Sequence, residues 1–184
     1  MTEKERHIEL AYIEKAKENK KFFGFLYEKY FEQIYLFIFK KIQEEDTTGD
    51  ICSRTFLKAM TKLNTYEDRG FPFSSWLYRI ASNEVNQHFR KTKKQLIVEV
   101  DENSLRSLVS ELATDDKESQ LQLVLTELEK LSLEKSQLIE LRYFEGRSFK
   151  EIASIFALSE ANAKMKVYRI IETLKKALGE AKKK

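Results

Sequence analysis

The sequence predicts an all-α protein of two small helical domains joined by a linker, the C-terminal domain being a helix-turn-helix. Only 5 of the 184 residues are Gly and 1 is Pro, too few for a turn-rich β fold. Apolar residues recur at helical spacing in both halves. Residues 86–94 carry four basic side chains and no acid, residues 95–120 a net charge of −5, and residues 159–184 a net charge of +5. We therefore expect a first domain over 1–94, an acidic, mostly extended linker over 95–120 and a second domain over 121–184.

The first amphipathic stripe predicts a helix of about five turns over 22–42. Gly49, in the polar stretch EEDTTGD, is expected to interrupt the pattern. A second stripe over 52–63 predicts the next helix. Both helices should contribute one face to the core of the first domain.

A loop and a third helix follow. The stretch NTYEDRGFPF holds the only proline, Pro72, and is the strongest loop signal in the chain. A third stripe over 77–89 predicts a helix, with Ser74 and Ser75 as candidate N-cap residues. The loop over 65–75 therefore leads directly into this helix.

The second half is helical again. One stripe runs over 121–131, and a new helix is expected to start after Ser132 and to end at Gly146. Ser148 and Glu151 fit a capping box, in which hydroxyl and carboxylate each accept an otherwise unpaired backbone N–H. They predict the start of a short helix.

A tight break at Ala157 and Leu158 separates the short helix from a last, longer helix that Ser159 is expected to cap. A short helix, a tight turn and a longer basic helix predict a helix-turn-helix. Glycine is common where Ala157 stands, so this turn must form without it. The side chains expected to face inward are Ala163, Val167, Ile170, Leu174 and Leu178.

The outward face of the last helix is the candidate surface for double-stranded DNA. A second helix of this kind lies in the major groove and presents its early residues to base edges. Amide, basic and apolar side chains there suit base edges, phosphates and sugars. The alternative is a solvated basic face with no ligand. The candidate DNA-binding residues are Ser159, Asn162, Lys164, Met165, Lys166, Tyr168 and Arg169.

The third helix mixes aromatic, basic and amide side chains, which suits single-stranded nucleic acid. The loop over 65–75 is placed to close over an unstacked base. For Trp76 a place in the core is the favoured alternative, whereas for Arg79 and Asn83, which share one helix face, binding is favoured. The candidate single-strand-binding residues are Trp76, Arg79, Asn83, Asn86, Arg90 and Lys91.

No pattern for catalysis or metal binding is present. The chain has no glycine-rich phosphate loop and no nucleophile–base pair at a suitable spacing, so we expect no enzyme, no cofactor and no metal. Cys52, the only cysteine, lies on an apolar stripe and is expected to be buried. Residues 1–20 are highly charged, without the apolar segment of a secretory signal. With no apolar run long enough for a membrane span, the sequence predicts a cytoplasmic protein.

Two segments carry a family resemblance: FSSWLYRIASNEVNQHFRK in the first half and LRYFEGRSFKEIASIFALSEANAKMKVYRIIETLKKAL in the second. In this order, with a short linker between them, they resemble a bacterial RNA polymerase sigma factor of the extracytoplasmic-function type. The resemblance runs from about residue 22 to residue 178. It implies a non-catalytic factor that binds core RNA polymerase and promoter DNA, and that an anti-sigma protein holds inactive.

The resemblance also implies residue roles. Lys164, Met165, Tyr168 and Arg169 would read the −35 element as duplex. Asn83 and the 65–75 loop would capture the non-template strand of the −10 element, and the linker would run through the polymerase channels. The polymerase-docking helix corresponds to DICSRTFLKAMTKL. Asp50 and Phe56 match its pattern, while Ser53 and Arg54 stand where Gln and Glu are usual.

Three other functions fit the sequence less well. A stand-alone DNA-binding regulator would use only the second domain and would form symmetric dimers, but no sustained heptad is present. An enzyme would need one of the missing catalytic patterns. A helical interaction protein that never touches nucleic acid would show no salt-dependent DNA binding.

Overall fold

A computed structural model of the chain describes residues 2–92, 108–110, 112 and 117–181. The chain divides into two compact units, residues 1–94 and 95–184, and each unit is described by itself. All regular elements in the described ranges are helical, which confirms the predicted fold class.

The first unit contains four α-helices: α1 (Glu3–Glu18), α2 (Phe23–Ile42), α3 (Glu45–Lys62) and α4 (Phe73–Thr92). Short 3-10 turns at Lys20–Phe22 and Leu63–Thr65 precede α2 and follow α3. In the second unit lie α5 (Lys117–Glu129), α6 (Leu133–Ile139), α7 (Phe149–Phe156) and α8 (Glu160–Ala181). A π-helical turn at Glu140–Phe144 extends α6.

The core of the first unit forms where α2, α3 and α4 pack together. The predicted stripe of α2 is buried from Leu26 to Ile38, whereas Phe22 is 42% exposed and Ile42 is half-buried. An edge-on ring contact of 4.7 Å between Phe37 and Tyr78 joins α2 to α4. The fully buried side chains of this core include Leu26, Ile34, Phe37, Ile38, Ile51, Leu77, Tyr78, Ala81 and Val85.

Helix α1 was not predicted from the sequence. It begins with a capping box between Thr2 and Glu5 and buries one narrow face. That face consists of Glu9, Ile13 and Ala16, spaced as one side of a helix. A carboxylate at an inward position interrupts the apolar stripe, and this is why the periodicity missed the helix.

Two predicted helix boundaries are wrong. Gly49 does not interrupt the pattern but lies inside α3. The chain instead turns at Gln43, whose φ of 53° is left-handed, and Glu44 caps α3 by accepting the Asp46 and Thr47 N–H groups. Ser74 and Ser75 are not N-cap residues, because α4 already begins at Phe73 and buries both hydroxyls.

The second unit packs α5, α6 and α7 against α8. Its core is aliphatic, and Val124, Leu128, Leu138, Ile152 and Val167 are at most 2% exposed. Gly146, with φ of 63°, ends the helical run before α7. The short α7 therefore lies against the long α8, as the helix-turn-helix prediction requires.

The segment predicted as an extended linker differs where it is described. Residues 108–110 are helical, and Leu108, Val109 and Leu112 are buried. The weak apolar run at these positions therefore packs, and α5 starts at Lys117, inside the predicted linker. Residues 95–107, 111 and 113–116 of this segment lie outside the described residues.

Candidate nucleic-acid interface

Side-chain caps fix the helix-turn-helix of the second unit. Ser148 Oγ accepts the Glu151 N–H at 3.2 Å, and the Glu151 carboxylate accepts the Ser148 N–H at 3.0 Å. Ser159 Oγ accepts the Asn162 N–H at 3.2 Å and so caps α8. The turn closes without glycine because Ala157 adopts left-handed geometry, with φ of 55°. The predicted capping box and turn are confirmed.

The Glu151 carboxylate is held in its charged form. Partial burial raises its pKa, but hydrogen bonds from Ser148 and the Arg147 guanidinium, 3.2 Å away, lower it by more. The pKa of Glu151 therefore lies below its usual range. An ionised carboxylate at the first turn of α7 also suits the helix dipole.

Helix α8 has the two faces that the sequence predicts. The five side chains expected to face inward are at most 4% exposed. Of the candidate DNA-binding residues, Ser159, Asn162, Lys164, Met165, Tyr168 and Arg169 are exposed. Met165 and Tyr168 are 43% and 44% exposed, although large apolar side chains usually lie inside. This face of α8 is therefore exposed to solvent.

Lys166 differs from the other candidates. It is half-buried, and its ammonium group lies 2.5 Å from the Glu134 carboxylate of α6. The ion pair ties α8 to α6 and draws Lys166 away from the open side of the helix. A DNA contact by Lys166 remains a prediction.

Two side chains that the sequence analysis did not select border this face. The Phe149 ring of α7 lies 6.0 Å from the Tyr168 ring, and the Arg142 guanidinium lies 4.5 Å from the centre of the Phe149 ring. Arg142 also donates to the Arg147 carbonyl oxygen at 3.1 Å. The sequence signal for Arg142 was its position beside an apolar stripe, because a cation there needs a partner such as an aromatic ring. Arg142 and Phe149 join the candidate interface.

In the first unit, α4 presents a polar, basic face. Arg79, Asn83, Arg90 and Lys91 are exposed, whereas Asn86 is half-buried. Arg79, Asn83 and Arg90 are spaced as one side of a helix, so they can contact one extended ligand together. The structure places these predicted residues on a shared surface.

Trp76 belongs to an aromatic cluster at the start of α4. Its ring centre lies 5.2 Å from Tyr66 and 5.4 Å from Phe73, and the side chain is half-buried. Burial, Asp68 and Glu9 raise the pKa of Tyr66 to about 12, so its hydroxyl stays protonated at neutral pH. Trp76 therefore lies largely in the environment that the core alternative predicts, and part of its side chain remains exposed to solvent.

The loop over 66–72 has a defined shape. Asp68 accepts the Gly70 N–H at 2.9 Å, and Gly70 has φ of 82°, a value that glycine adopts without strain. Arg6 of α1 contacts Asp68 at 3.0 Å. Partial burial raises the pKa of Asp68, but the Gly70 N–H and Arg6 lower it by more, so it lies below its usual range. The carboxylate therefore holds the turn at neutral pH.

The candidate docking residues on α3 separate into two groups. Asp50, Ser53 and Arg54 are exposed. Phe56 is 4% exposed, and its ring packs edge-on against Tyr27 of α2 at 4.8 Å. A docking contact by Phe56 remains a prediction, and in this structure its place on the apolar stripe buries its ring. The exposed apolar side chain on this helix is Leu57, at 58%.

Arg54 also faces α4. Its guanidinium lies 3.5 Å from the Glu84 carboxylate, and Lys58 lies 2.5 Å from the other oxygen of Glu84. Two cations of α3 thus neutralise one carboxylate of α4, which is itself buried. The unusual Arg54 therefore has a partner within its own unit.

Cys52, the single cysteine of the sequence, is buried in the first unit. Burial raises the pKa of Cys52 to about 11, which leaves its thiol unreactive at neutral pH. Across the described ranges, no group of His, Cys, Asp or Glu side chains could hold a metal ion. No helix in those ranges is both long and apolar enough to cross a bilayer.

Comparison with protein families matches both units. Sigma-70 region 2 matches residues 26–95, and Sigma-70 region 4 matches residues 121–174. The first match includes α4 and the loop before it, and the second includes the helix-turn-helix. Most of the chain therefore carries a family pattern.

Individual relatives agree with these matches. The chain is 29% identical over 158 residues to the extracytoplasmic-function RNA polymerase sigma factor BldN of Streptomyces coelicolor, over 85% of this chain and 60% of that protein's length. It is 26% identical over 162 residues to the factor SigX of Bacillus subtilis, over 84% and 82% of the two chains.

A solved structure shares the fold. The sigma factor RpoE of Bartonella quintana, in complex with the anti-sigma factor NepR, superposes with a TM-score of 0.55 at 20% identity. The superposition covers 85% of this chain and 96% of that one.

Proposed function

The chain belongs to the sigma-70 family as an RNA polymerase sigma factor of the extracytoplasmic-function type, and we propose that it reads one promoter in two physical states. The second unit would bind the −35 element as duplex. The first unit would hold the −10 element as a single strand. Directing polymerase to initiate transcription is the shared role of the family. The two units would divide promoter recognition between them.

The outward face of α8 supports duplex reading. Asn162, Lys164 and Arg169 supply donors for base edges and phosphates, and Met165 and Tyr168 supply apolar surface for bases and sugars. The caps at Ser148 and Ser159 fix the direction in which α8 leaves the turn. This arrangement is the one in which a recognition helix enters the major groove.

The exposed face of α4 and the loop over 66–72 support single-strand capture. Arg79 and Arg90 would hold phosphates, and Asn83 would hydrogen-bond to an unpaired base. Unstacking a base costs a few kcal/mol, which contacts in a protein pocket offset. Strand opening would therefore draw on binding energy rather than on a catalytic residue.

The exposed side of α3 supports docking on core polymerase. Asp50, Ser53, Arg54 and Leu57 lie along it, and Leu57 offers apolar surface for burial. Because Arg54 already pairs with Glu84, its reversed charge is partly neutralised within the protein. Docking through this surface would therefore tolerate Arg54 in place of the glutamate that is usual in the family.

An anti-sigma partner and a cytoplasmic location belong to the same proposal. The fold is shared with a sigma factor that was solved with its anti-sigma factor. Exposed apolar side chains of the first unit, Tyr27 and Leu57 among them, offer surface that a protein partner could cover. We expect this chain to meet both polymerase and such a partner in the cytoplasm.

The observation that carries the proposal is the pairing of two helical units with two exposed polar faces, on α4 and α8. Run-off transcription from fragmented genomic DNA with core RNA polymerase tests it. We expect discrete start sites that require this protein. Their absence with any genomic fragment would contradict the proposed function.

A matched pair of variants sharpens this test. Arg169→Ala removes an exposed cation from the proposed reading face, while Lys175→Ala removes a cation that pairs with Glu172 on the same helix. We expect Arg169→Ala to weaken transcription from every start site with an intact −35 element and Lys175→Ala to leave it unchanged. Equal loss in both variants would point to a general effect of charge.

A further inference from the structure

Helix α1 holds the loop over 66–72 near its tip. Arg6 Nη2 donates to both carboxylate oxygens of Asp68, at 3.1 and 3.0 Å. Asp68 Oδ1 in turn accepts the Gly70 N–H at 2.9 Å. The Arg6 guanidinium is therefore linked to the turn of the loop through one side chain, that of Asp68.

A second side chain of α1 holds the point where the loop ends. Glu9 is 2% exposed, and its carboxylate accepts the Phe73 N–H at 3.3 Å. Phe73 is the first residue of α4, where backbone N–H groups have no partner within the helix. Glu9 thus serves α4 as a cap supplied from a distant helix.

The position of Glu9 is itself fixed by α2. Its Oε1 accepts hydrogen bonds from the Lys29 ammonium, at 2.7 Å, and from the Tyr30 hydroxyl. A buried carboxylate is stable only when such partners satisfy it. Because its oxygens are bound to α2 and to the start of α4, Glu9 links three helices at the base of the loop.

These contacts also order the aromatic cluster beside the loop. Phe73, which Glu9 holds through its backbone, lies 5.1 Å from the Tyr66 ring and 5.4 Å from the Trp76 ring. Tyr66 begins the loop, and Trp76 lies on the first turn of α4. The two ends of the loop and the nearest aromatic surface are therefore set by one network.

We propose that Arg6 and Glu9 are positioning residues for base capture, and that α1 braces the 66–72 loop in the shape that closes over an unpaired promoter base. The inference rests on the proposed function, because it assigns a role within the same single-strand site. Neither residue contacts the base. A loop that is already ordered binds without losing further conformational freedom, so the brace raises affinity for the single strand.

Arg6 is the residue at which this role can be separated from folding. The Arg6 and Asp68 side chains are 39% and 27% exposed, and ion pairs of this kind contribute little to stability. Arg6→Ala should therefore leave the fold intact and free the loop. Lys17→Ala is the matched control, since it removes a cation of α1 whose partner, Glu14, lies on the same helix.

The experiment uses holoenzyme, assembled from core polymerase and the full chain. The probes are single-stranded oligonucleotides with the non-template −10 sequence of a promoter that run-off transcription identifies, intact or with one abasic position each. We expect Arg6→Ala to bind the intact strand roughly threefold to fivefold more weakly than wild type. The difference should vanish on the oligonucleotide that lacks the captured base, and Lys17→Ala should match wild type throughout.

Two further measurements on the free full chain test the brace directly. Amide hydrogen exchange over 66–71 should be faster in Arg6→Ala than in Lys17→Ala, with the helices equally protected. Glu9→Gln keeps the size of the side chain but loses the charge, and it should weaken binding to the same oligonucleotide position. If Glu9→Gln does not fold, Arg6→Ala still decides the matter.

Different failures have different meanings. An equal loss by Arg6→Ala on every oligonucleotide, or no loss on any, would overturn the bracing role. If the wild-type protein supports promoter-dependent transcription and Arg6→Ala binds every oligonucleotide as wild type does, the bracing role is overturned. The proposed function is then unaffected. Absence of promoter-dependent transcription by the wild-type protein overturns both.

Discussion

Ala157 departs clearly from the usual conformation of its residue type, because it adopts left-handed backbone geometry although it is not glycine. A β-carbon in left-handed geometry costs about 1 kcal/mol relative to glycine. We expect Ala157→Gly to raise the free energy of unfolding of the second unit by about 1 kcal/mol, measured by chemical denaturation of the full chain.

Ala161→Gly is the control for Ala157→Gly. Ala161 is exposed on the first turns of α8, where the backbone is helical, so glycine should lower stability there by about 1 kcal/mol. If both variants were destabilised equally, the left-handed turn at Ala157 would be wrong.

Carboxylates with a lowered pKa, Asp68 and Glu151 among them, make the free energy of unfolding depend on pH in the acid range. The pKa values of Asp68 and Glu151 lie below their usual ranges, so the unfolded chain binds protons at these sites more readily than the folded one. Their contribution is complete near neutral pH and is lost as the pH falls through the lowered pKa values. Denaturation at successive pH values below about 5 should show a falling free energy of unfolding.

Glu151→Gln identifies the source of this pH dependence. Glutamine cannot titrate, so the variant should be less stable than wild type at neutral pH and should lose less stability on acidification. A slope identical to that of wild type would contradict a lowered pKa at Glu151.

The residue scale also shows where sequence reasoning was limited. The motif placed Phe56 among the docking contacts, whereas the apolar stripe that contains Cys52 and Ala59 placed it in the core. The ring is buried, as the stripe predicts, and the docking role of Phe56 remains a prediction. A family motif assigns a role to each of its positions, but it does not show which of these side chains are exposed in the folded protein.

At the scale of elements, helices with an uninterrupted apolar face were predicted well, since burial of one face determines them. The two faces of α8 are confirmed by the exposure of each side. Helix α1 was missed because Glu9 replaces an apolar residue on its inward face. Such a carboxylate is explained only by partners distant in sequence, Lys29 and Phe73 among them.

The proposed reading helix α8 yields a prediction on salt dependence. Each lysine or arginine that neutralises a phosphate contributes about 0.9 to the slope of log affinity against log salt concentration. Lys164→Ala and Arg169→Ala should each weaken binding of holoenzyme to a −35 duplex and reduce this slope by about 1. Lys175→Ala, whose cation pairs with Glu172, should leave the slope unchanged.

For the whole molecule, docking on polymerase is the first requirement. Leu57 is 58% exposed on α3, and burying a leucine side chain contributes about 1.5–3 kcal/mol. We expect Leu57→Ala to weaken retention on core polymerase at least roughly tenfold. Ile8→Ala, which shortens an exposed apolar side chain of α1, should bind as wild type. Equal retention of all three proteins would contradict docking through α3.

The organisation into two helical units followed from charge and periodicity, because each unit buries its own core. Charge and periodicity were less informative for the acidic segment between the predicted domains. Leu108, Val109 and Leu112 pack although the surrounding residues are polar and acidic. A short apolar run gives too weak a period to show whether it packs, so its burial depends on contacts that the sequence does not reveal.

Permanganate footprinting of the holoenzyme on its promoter tests the central claim most directly, since the reagent oxidises unpaired thymines. The account predicts reactive thymines in the −10 element and none in the −35 element, because α4 holds a single strand while α8 holds a duplex. Reactive thymines in the −35 element, or a fully paired −10 element in a complex that initiates transcription, would contradict it.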